Sequence, residues 1–163
     1  MFGFSISHTT RQPRMGEEPD VHYHFISKEK FQSLVDENQF VEYAKYANNL
    51  YGTSKQSIED IAKLNKVCVM DIDSQGVDQL LQTDLLPNLI LVKAPSLDIL
   101  EQRLRIRATD DDGAISKRLA IAKKELTWAE TQEWHLTLVN DDFETSYQAL
   151  LAYLKTQYPA LNK

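Results

Sequence analysis

Residues 66–73 read Lys-Val-Cys-Val-Met-Asp-Ile-Asp, an apolar run that closes on two carboxylates. A strand with one wet face alternates apolar and polar side chains, whereas a strand covered on both faces does not. The run therefore predicts a strand buried on both sides in a parallel sheet, and parallel neighbours need crossover connections, usually helices. The flanking sequence supplies them. Ser54 caps a helical pattern through Ile58, Ile61 and Ala62, a second helix spans about 75–81, and another apolar strand follows at 88–93. Strands and helices alternating at this length predict right-handed βαβ units and an α/β fold. Ligands of such sheets sit at the carboxyl ends of the strands, where Asp71 and Asp73 fall.

The stretch before these units has a different texture. Phe2, Phe4 and Ile6 alternate with Gly3, Ser5 and Ser7 as in a strand, and a hydroxyl run leads to Arg11, Pro13 and Arg14. Arginine presents a planar fork of donors that fits a phosphate or carboxylate bidentately, and proline lowers the entropy lost in holding two forks together. The residues suit a grip on a small phosphate-bearing ligand; they also suit a polar loop after an edge strand. A short strand at Phe25 and Ile26 follows, then a helix behind Ser27 with Phe31, Leu34 and Val35. Residues 40–46 and 50–54 are two strands about an Asn48-Asn49 turn. Residues 2–54 thus predict a small mixed α+β module.

Beyond residue 93, Pro95 and Ser96 open a helix with Leu97, Leu100 and Leu104 on one face and Arg103 and Arg107, four apart, on one side. A polar link at 108–113 leads to a helix from Ala114 to about Glu130 carrying Lys117 and Arg118. Two arginine-bearing helices across such a link predict either a movable lid or a solvated hairpin with ordinary surface charge. Residues 135–139 form the last strand, followed by Asn140 and a final helix.

At 163 residues the chain is sized for one domain, with no repeats and no dividing linker. A net charge of −6 and an isoelectric point near 5.2 argue against nucleic acid as the main partner. Basic residues cluster around Arg11 and Arg14 and again between Arg103 and Lys124, which favours a small anionic ligand. Cys68 has no second cysteine to pair with and lies in an apolar run, so it reads as a structural thiol of a reducing compartment. With no apolar run near the ~20 residues of a membrane span and no signal-peptide pattern, a cytoplasmic protein without membrane partners is expected.

Several segments together resemble one family. F-G-F-S-I-S-H-T-T-R-Q-P-R-M-G-E at 2–17, N-L-Y-G-T-S-K at 49–55, C-V-M-D-I-D-S-Q-G-V at 68–77, P-S-L-D-I-L-E-Q-R-L-R-I-R at 95–107 and I-S-K-R-L at 115–119 are similar, in order and spacing, to the eukaryotic guanylate kinases. The resemblance implies a nucleoside monophosphate kinase-like α/β fold, a parallel sheet with helices on both faces. A single domain, 1–163, would divide into a GMP-binding subdomain at about 7–54, a core at 2–6, 55–95 and 135–163, and a helical lid at about 96–134. It implies the reaction ATP + GMP giving ADP + GDP, with Mg2+. Arg11, Arg14, Tyr23 and Tyr51 would hold the GMP phosphate, and Ser7, Glu42 and Thr53 would read the guanine. Asp73 would face the nucleotide, and Asp71 the metal through water. Arg103, Arg107 and Arg118 would be the catalytic lid arginines, and Asn140 would lie beside the ATP base.

One element of the family pattern is missing. The sequence contains no G-x-x-x-x-G-K-S/T, the loop whose amides cradle the ATP phosphates; its five glycines stand alone and no Gly-Lys pair occurs. The family places that loop, with the first and central strand of its sheet, before the strand that here begins at Phe2. The missing strand would lie between the strands at 66–73 and 88–93, so two unpaired strand edges are expected. ATP binding and kinase activity are not expected of this polypeptide. Three readings stay open: a truncated member of an active kinase, a non-catalytic module that binds phosphorylated protein partners through the same phosphate grip, and a split enzyme. Asp20 and His22, where the family has glycine and aspartate, leave the geometry before Tyr23 open. Ala108, Thr109 and Asp110 depart likewise from the family's lid series.

Overall fold

The computed structural model describes residues 1–46, 48–107 and 111–162. Two compact units form, Met1–Pro87 and Asn88–Lys163. The first contains β1 (Phe2–Phe4), β2 (His8–Thr9), β3 (His24–Phe25), α1 (Lys28–Asp36), β4 (Phe40–Tyr46), β5 (Asn49–Ser54), α2 (Lys55–Lys63), β6 (Val67–Val69) and α3 (Ser74–Leu80). The second contains β7 (Ile90–Lys93), α4 (Leu97–Ile106), α5 (Asp112–Ala129), β8 (Leu136–Val139) and α6 (Phe143–Gln157). Among the described residues, no helix is long and apolar enough to cross a membrane.

The helix starts are set by side-chain caps. Ser27, Ser54 and Ser96 accept from the backbone N–H three residues on, as their sequence positions predicted, and Asp73, Asp111 and Asp142 do the same. Asp111 brings the start of α5 forward to Asp112, two residues before the predicted Ala114. The rest of the predicted link, residues 108–110 with their departures from the family series, lies outside the described residues.

The parallel strands differ from expectation in extent. β1 pairs with β6, Phe2 opposite Val67, and β7 pairs with β8, Ile90 opposite Leu136. These are two separate two-stranded sheets. Of the run 66–73 only Val67–Val69 is strand, and the double burial predicted for it is not realised, since Val69 is 39% exposed. Val92 of β7 is likewise exposed. Among the described residues each of these strands has one neighbour, so one edge of its backbone is laddered and the other is open, and the pair is too narrow to form the wide two-faced layer a fully buried strand needs. Ser5 ends the first pair, its N–H and hydroxyl both donating to the Val69 carbonyl at 2.9 and 3.2 Å. These two bonds satisfy Ser5 in its buried position, next to the exposed Phe4.

The predicted α+β module is a four-stranded mixed sheet, ordered β3-β2-β5-β4. Paired residues in a sheet share a face, so the register sorts the side chains. Glu42 pairs with Thr53, Ala44 and Thr9 pair with Tyr51, and Phe25 pairs with Thr9, which puts all of these on one face. His8 pairs with Gly52 and His24 on the other. Phe40 pairs with Ser54, one residue from Thr53, so the register shifts between Phe40 and Glu42 and Val41 bulges out. The bulge sends Phe40 to the His8 face and Glu42 to the opposite one. There Phe40 stacks on Phe31 of α1 at 4.6 Å between centroids and meets the His8 ring edge-on at 5.5 Å. Phe31 is fully buried and closes this small core.

Among the described residues of the second unit, Leu89, Leu104, Ile115, Ala129 and Leu138 are the buried apolar ones. Trp134 packs edge-on against Trp128 and donates its indole N–H to the Ala129 carbonyl at 2.8 Å, which ties the end of α5 to the approach of β8.

Candidate functional site

The sheet face that carries Glu42 also carries an arginine cluster. Arg11 leaves β2 with its backbone N–H on the Thr9 hydroxyl at 3.2 Å, and its guanidinium lies 5.5 and 5.8 Å from the ring centroids of Tyr23 and Phe25. Such ring faces favour a cation. Tyr23 and Tyr51 sit edge-to-face at 6.0 Å. The Arg11 fork is engaged bidentately by Glu17, at 2.9 and 2.8 Å. Glu17 folds back through a turn in which Gly16 adopts φ +87°, closed by the Glu17 N–H on the Arg14 carbonyl at 3.0 Å. The same carboxylate accepts from the Arg14 N–H at 2.7 Å. These donors hold the Glu17 carboxyl down at about 2, the Arg11 fork contributing most. Arg11 is pushed up by Glu17 and, more weakly, by the Tyr51 hydroxyl. Burial raises the Tyr23 phenol, with Tyr51 and Asp71 adding to it.

Glu17 had no expected role. The available signal was an acidic run, Glu17, Glu18 and Asp20, directly after the arginine loop. The structure thus shows a site that already holds one planar oxyanion, with Arg14 exposed beside it. Asp20 and His22 also find work. Asp20 takes the left-handed conformation, φ 62°, and bonds the His24 ring at 2.6 Å, while the His22 ring accepts from the Glu18 N–H at 3.0 Å.

Along the same face lies a second polar group. Glu42 is only 4% exposed, and its Oε1 accepts the Thr53 N–H at 2.8 Å. Thr53 is fully buried, and its hydroxyl lies 3.1 Å from the Ser7 hydroxyl. Burial raises the Glu42 carboxyl above its usual range, the Thr53 bonds oppose this, and the negative Asp73 adds to it. Asp73 caps α3, with Oδ1 on the Gly76 N–H at 3.0 Å and Oδ2 on the Gln75 amide at 3.1 Å. Asp71 is exposed to solvent. A buried carboxylate beside two hydroxyls and a caged arginine can recognise a ligand with paired N–H donors at one end and an oxyanion at the other.

The second unit places the remaining residues. Arg103 of α4 donates to the carbonyls of Asn140 and Asp141 at 2.6 and 3.2 Å, so it and Asn140 are brought together. Arg107 is the exposed C-cap of α4, and Arg118 lies half-buried on α5.

Parallel strand–helix units beside a small sheet with an anion grip and a buried carboxylate define an α/β protein of the nucleotide-kinase type. The sequence family described as guanylate kinase matches residues 1–157. A guanylate kinase of Sus scrofa is 44% identical over 151 residues, covering 92% of this chain and 76% of the relative. Another, of Homo sapiens, is 42% identical over the same length, with 92% and 77% covered. Among solved structures, guanylate kinase from Anaplasma phagocytophilum superposes with a TM-score of 0.77 at 25% identity, over 96% of this chain and 76% of that one. The chain belongs to the guanylate kinase family.

Proposed function

We propose that the first unit binds GMP, the acceptor in the family reaction ATP + GMP giving ADP + GDP. Arg11, Arg14, Tyr23 and Tyr51 hold the phosphate, in the place where Arg11 now grips the Glu17 carboxylate. Glu42 reads the base: one carboxylate accepts from guanine N1–H and the exocyclic amine together, a donor pair that adenine lacks. Ser7 and Thr53 complete that recognition, and Asp73 borders it. The observation that carries the reading is Glu42 itself, a nearly inaccessible carboxylate on the same sheet face as the arginine–tyrosine cluster. A carboxylate left in such a place without paired donors is costly, so the site selects a ligand that brings them.

In the second unit we assign Arg103, Arg107 and Arg118 to charge neutralisation at the transferring phosphoryl group, and Asn140 to the ATP base. The anchoring of Arg103 on the Asn140 carbonyl supports this pairing. The donor side is incomplete in this polypeptide, because its sequence holds no G-x-x-x-x-G-K-S/T. Mg2+ is a hard ion usually held by one or two carboxylates with water and substrate phosphates; with both Asp73 oxygens hydrogen-bonded, the exposed Asp71 is the carboxylate that would offer itself to it. The 163-residue chain is therefore read as a GMP-binding protein without phosphoryl transfer of its own.

Calorimetry on the purified chain tests this. GMP is expected to bind at least ~100-fold more tightly than AMP, about the cost of leaving one buried polar group unpaired. Equal binding of the two nucleotides, or capture of a phosphoserine peptide in place of GMP, overturns the reading. A coupled kinase assay is expected to stay silent, and sustained turnover would overturn the assignment of inactivity.

A further inference from the structure

Helix α3 runs against β4, and two of its residues at spacing three, Gly76 and Gln79, face that strand behind the N-cap Asp73. Asp73 caps the helix with its Oδ1 on the Gly76 N–H. Gln79 reaches the strand edge: its Nε2 donates to the Tyr43 carbonyl at 2.6 Å, and the Tyr43 N–H donates to its Oε1 at 3.1 Å. A primary amide thus satisfies β4 as a neighbouring strand would. Between them lies Gly76, where a Cβ would stand 2.8 Å from Glu42 Oε2 and 3.1 Å from the Ile72 Cβ. Glu42 has little room to retreat. Its Oε1 is fixed by the Thr53 N–H, and the residue is buried on every side.

We propose that Gly76 and Gln79 are positioning residues for guanine discrimination. Gly76 supplies the space in which Glu42 Oε2 lies, and Gln79 holds the strand that carries Glu42 at the matching distance from α3. The inference rests on the reading of Glu42 as the group that recognises the base. A methyl group at position 76 would force the carboxylate to rotate away from its bond to Thr53 or would lift α3 from β4. Either movement takes Oε2 out of the plane in which one carboxylate meets two adjacent N–H groups. The phosphate half of the site, on the loop between β2 and β3 and on β5 at Tyr51, contains neither α3 nor Glu42.

The test titrates GMP and IMP into the intact chain. IMP keeps the phosphate, ribose and N1–H and lacks the exocyclic amine, so the ratio of the two affinities isolates the carboxylate's second contact. The parent is expected to prefer GMP by at least about tenfold, the value of one hydrogen bond to a charged group. Gly76→Ala is expected to bring that ratio to within about twofold of unity, and Gln79→Met to lower it severalfold, as expected for a displaced charged hydrogen bond. A purely structural role would weaken both nucleotides alike and leave the ratio intact; that result, or no change in either variant, overturns the proposal. Should Gly76→Ala show no thermal unfolding transition, the ratio in Gln79→Met decides. Glu42→Gln separates the two layers of the argument. If it leaves the ratio unchanged, base reading by Glu42 is wrong; if it collapses the ratio while Gly76→Ala and Gln79→Met keep it, only the positioning inference falls.

Discussion

Acid is expected to weaken the first unit through His8, in a pH window fixed by where that ring sits. His8 lies on the sheet face opposite the site, with its ring 4.6 Å from His24 and 5.5 Å from Phe40, and its Nδ1 is buried without a hydrogen-bond partner. Burial, reinforced by the neighbouring His24, lowers its titration from 6.5 to about 4, against a small opposing pull from Asp20. The unfolded chain therefore binds a proton at higher pH than the folded one. Stability is undiminished above pH 6.5, falls as pH drops from 6.5 towards 4, and loses nothing more from this group below that. At ~1.36 kcal/mol per pH unit the full gap would be worth about 3 kcal/mol, but the ring is only half-buried and solvent screens it, so about 1–1.5 kcal/mol is the figure to test. For a chain of this size that is a melting shift of roughly 3–5 °C. The assay compares parent and His8→Phe by thermal unfolding at pH 7 and pH 4.5. Phenylalanine keeps the edge-on contact with Phe40 and replaces an orphaned nitrogen by carbon, so it is expected to match the parent at pH 7 and exceed it by that margin at pH 4.5. Parallel acid losses in the two proteins, or a His8 ring titrating near 6.5 by NMR, would refute the argument.

Phe31→Ala removes the fully buried ring stacked on Phe40, and is expected to cost about 3–5 kcal/mol, read as a lower denaturant midpoint with unchanged far-ultraviolet dichroism. GMP affinity is expected to rise with pH through the raised Glu42 titration and then level off, because only the ionised carboxylate accepts two N–H bonds. Calorimetry between pH 4.5 and 7.5 checks it, and Glu42→Gln is expected to flatten the profile. Deleting Val41 closes the bulge and makes Phe40 and Glu42 consecutive residues, which still point to opposite faces in the same register. GMP binding is therefore expected to survive the deletion, and its loss in calorimetry would refute the register argument.

Helix starts and the hairpin were legible because their chemistry is local. Ser27, Ser54 and Ser96 cap where they were expected to, and Asn48 turns the hairpin at φ 66°. The length of β6 was not legible. A run of apolar residues records what a strand can bury, while the number of its neighbours is a property of the sheet, and here β6 has β1 alone. The arginine grip was half legible. Two arginines three apart signal an oxyanion, but their sequence cannot say that Glu17 reaches back to occupy one fork, since that depends on the left-handed Gly16.

Glu42 shows why a candidate site residue can be hidden in a well-behaved strand. Read by alternation, Phe40, Glu42 and Ala44 point one way, and a carboxylate then falls among residues destined for a core. All three are indeed buried, so burial alone would not reveal the error. The register does: Phe40 opposes Ser54 and Glu42 opposes Thr53, neighbours that point to opposite faces. One extra residue lets the same strand bury an aromatic ring against α1 and a carboxylate against α3. The bulge leaves no trace in periodicity, because it belongs to the pairing of two strands and not to either sequence. What the sequence does show is the conflict, a glutamate where the pattern wants an apolar side chain. Natural chains break a local rule mostly where a ligand repays it. The absent side chain of Gly76, facing that glutamate from another element, is the same exception seen from the opposite side.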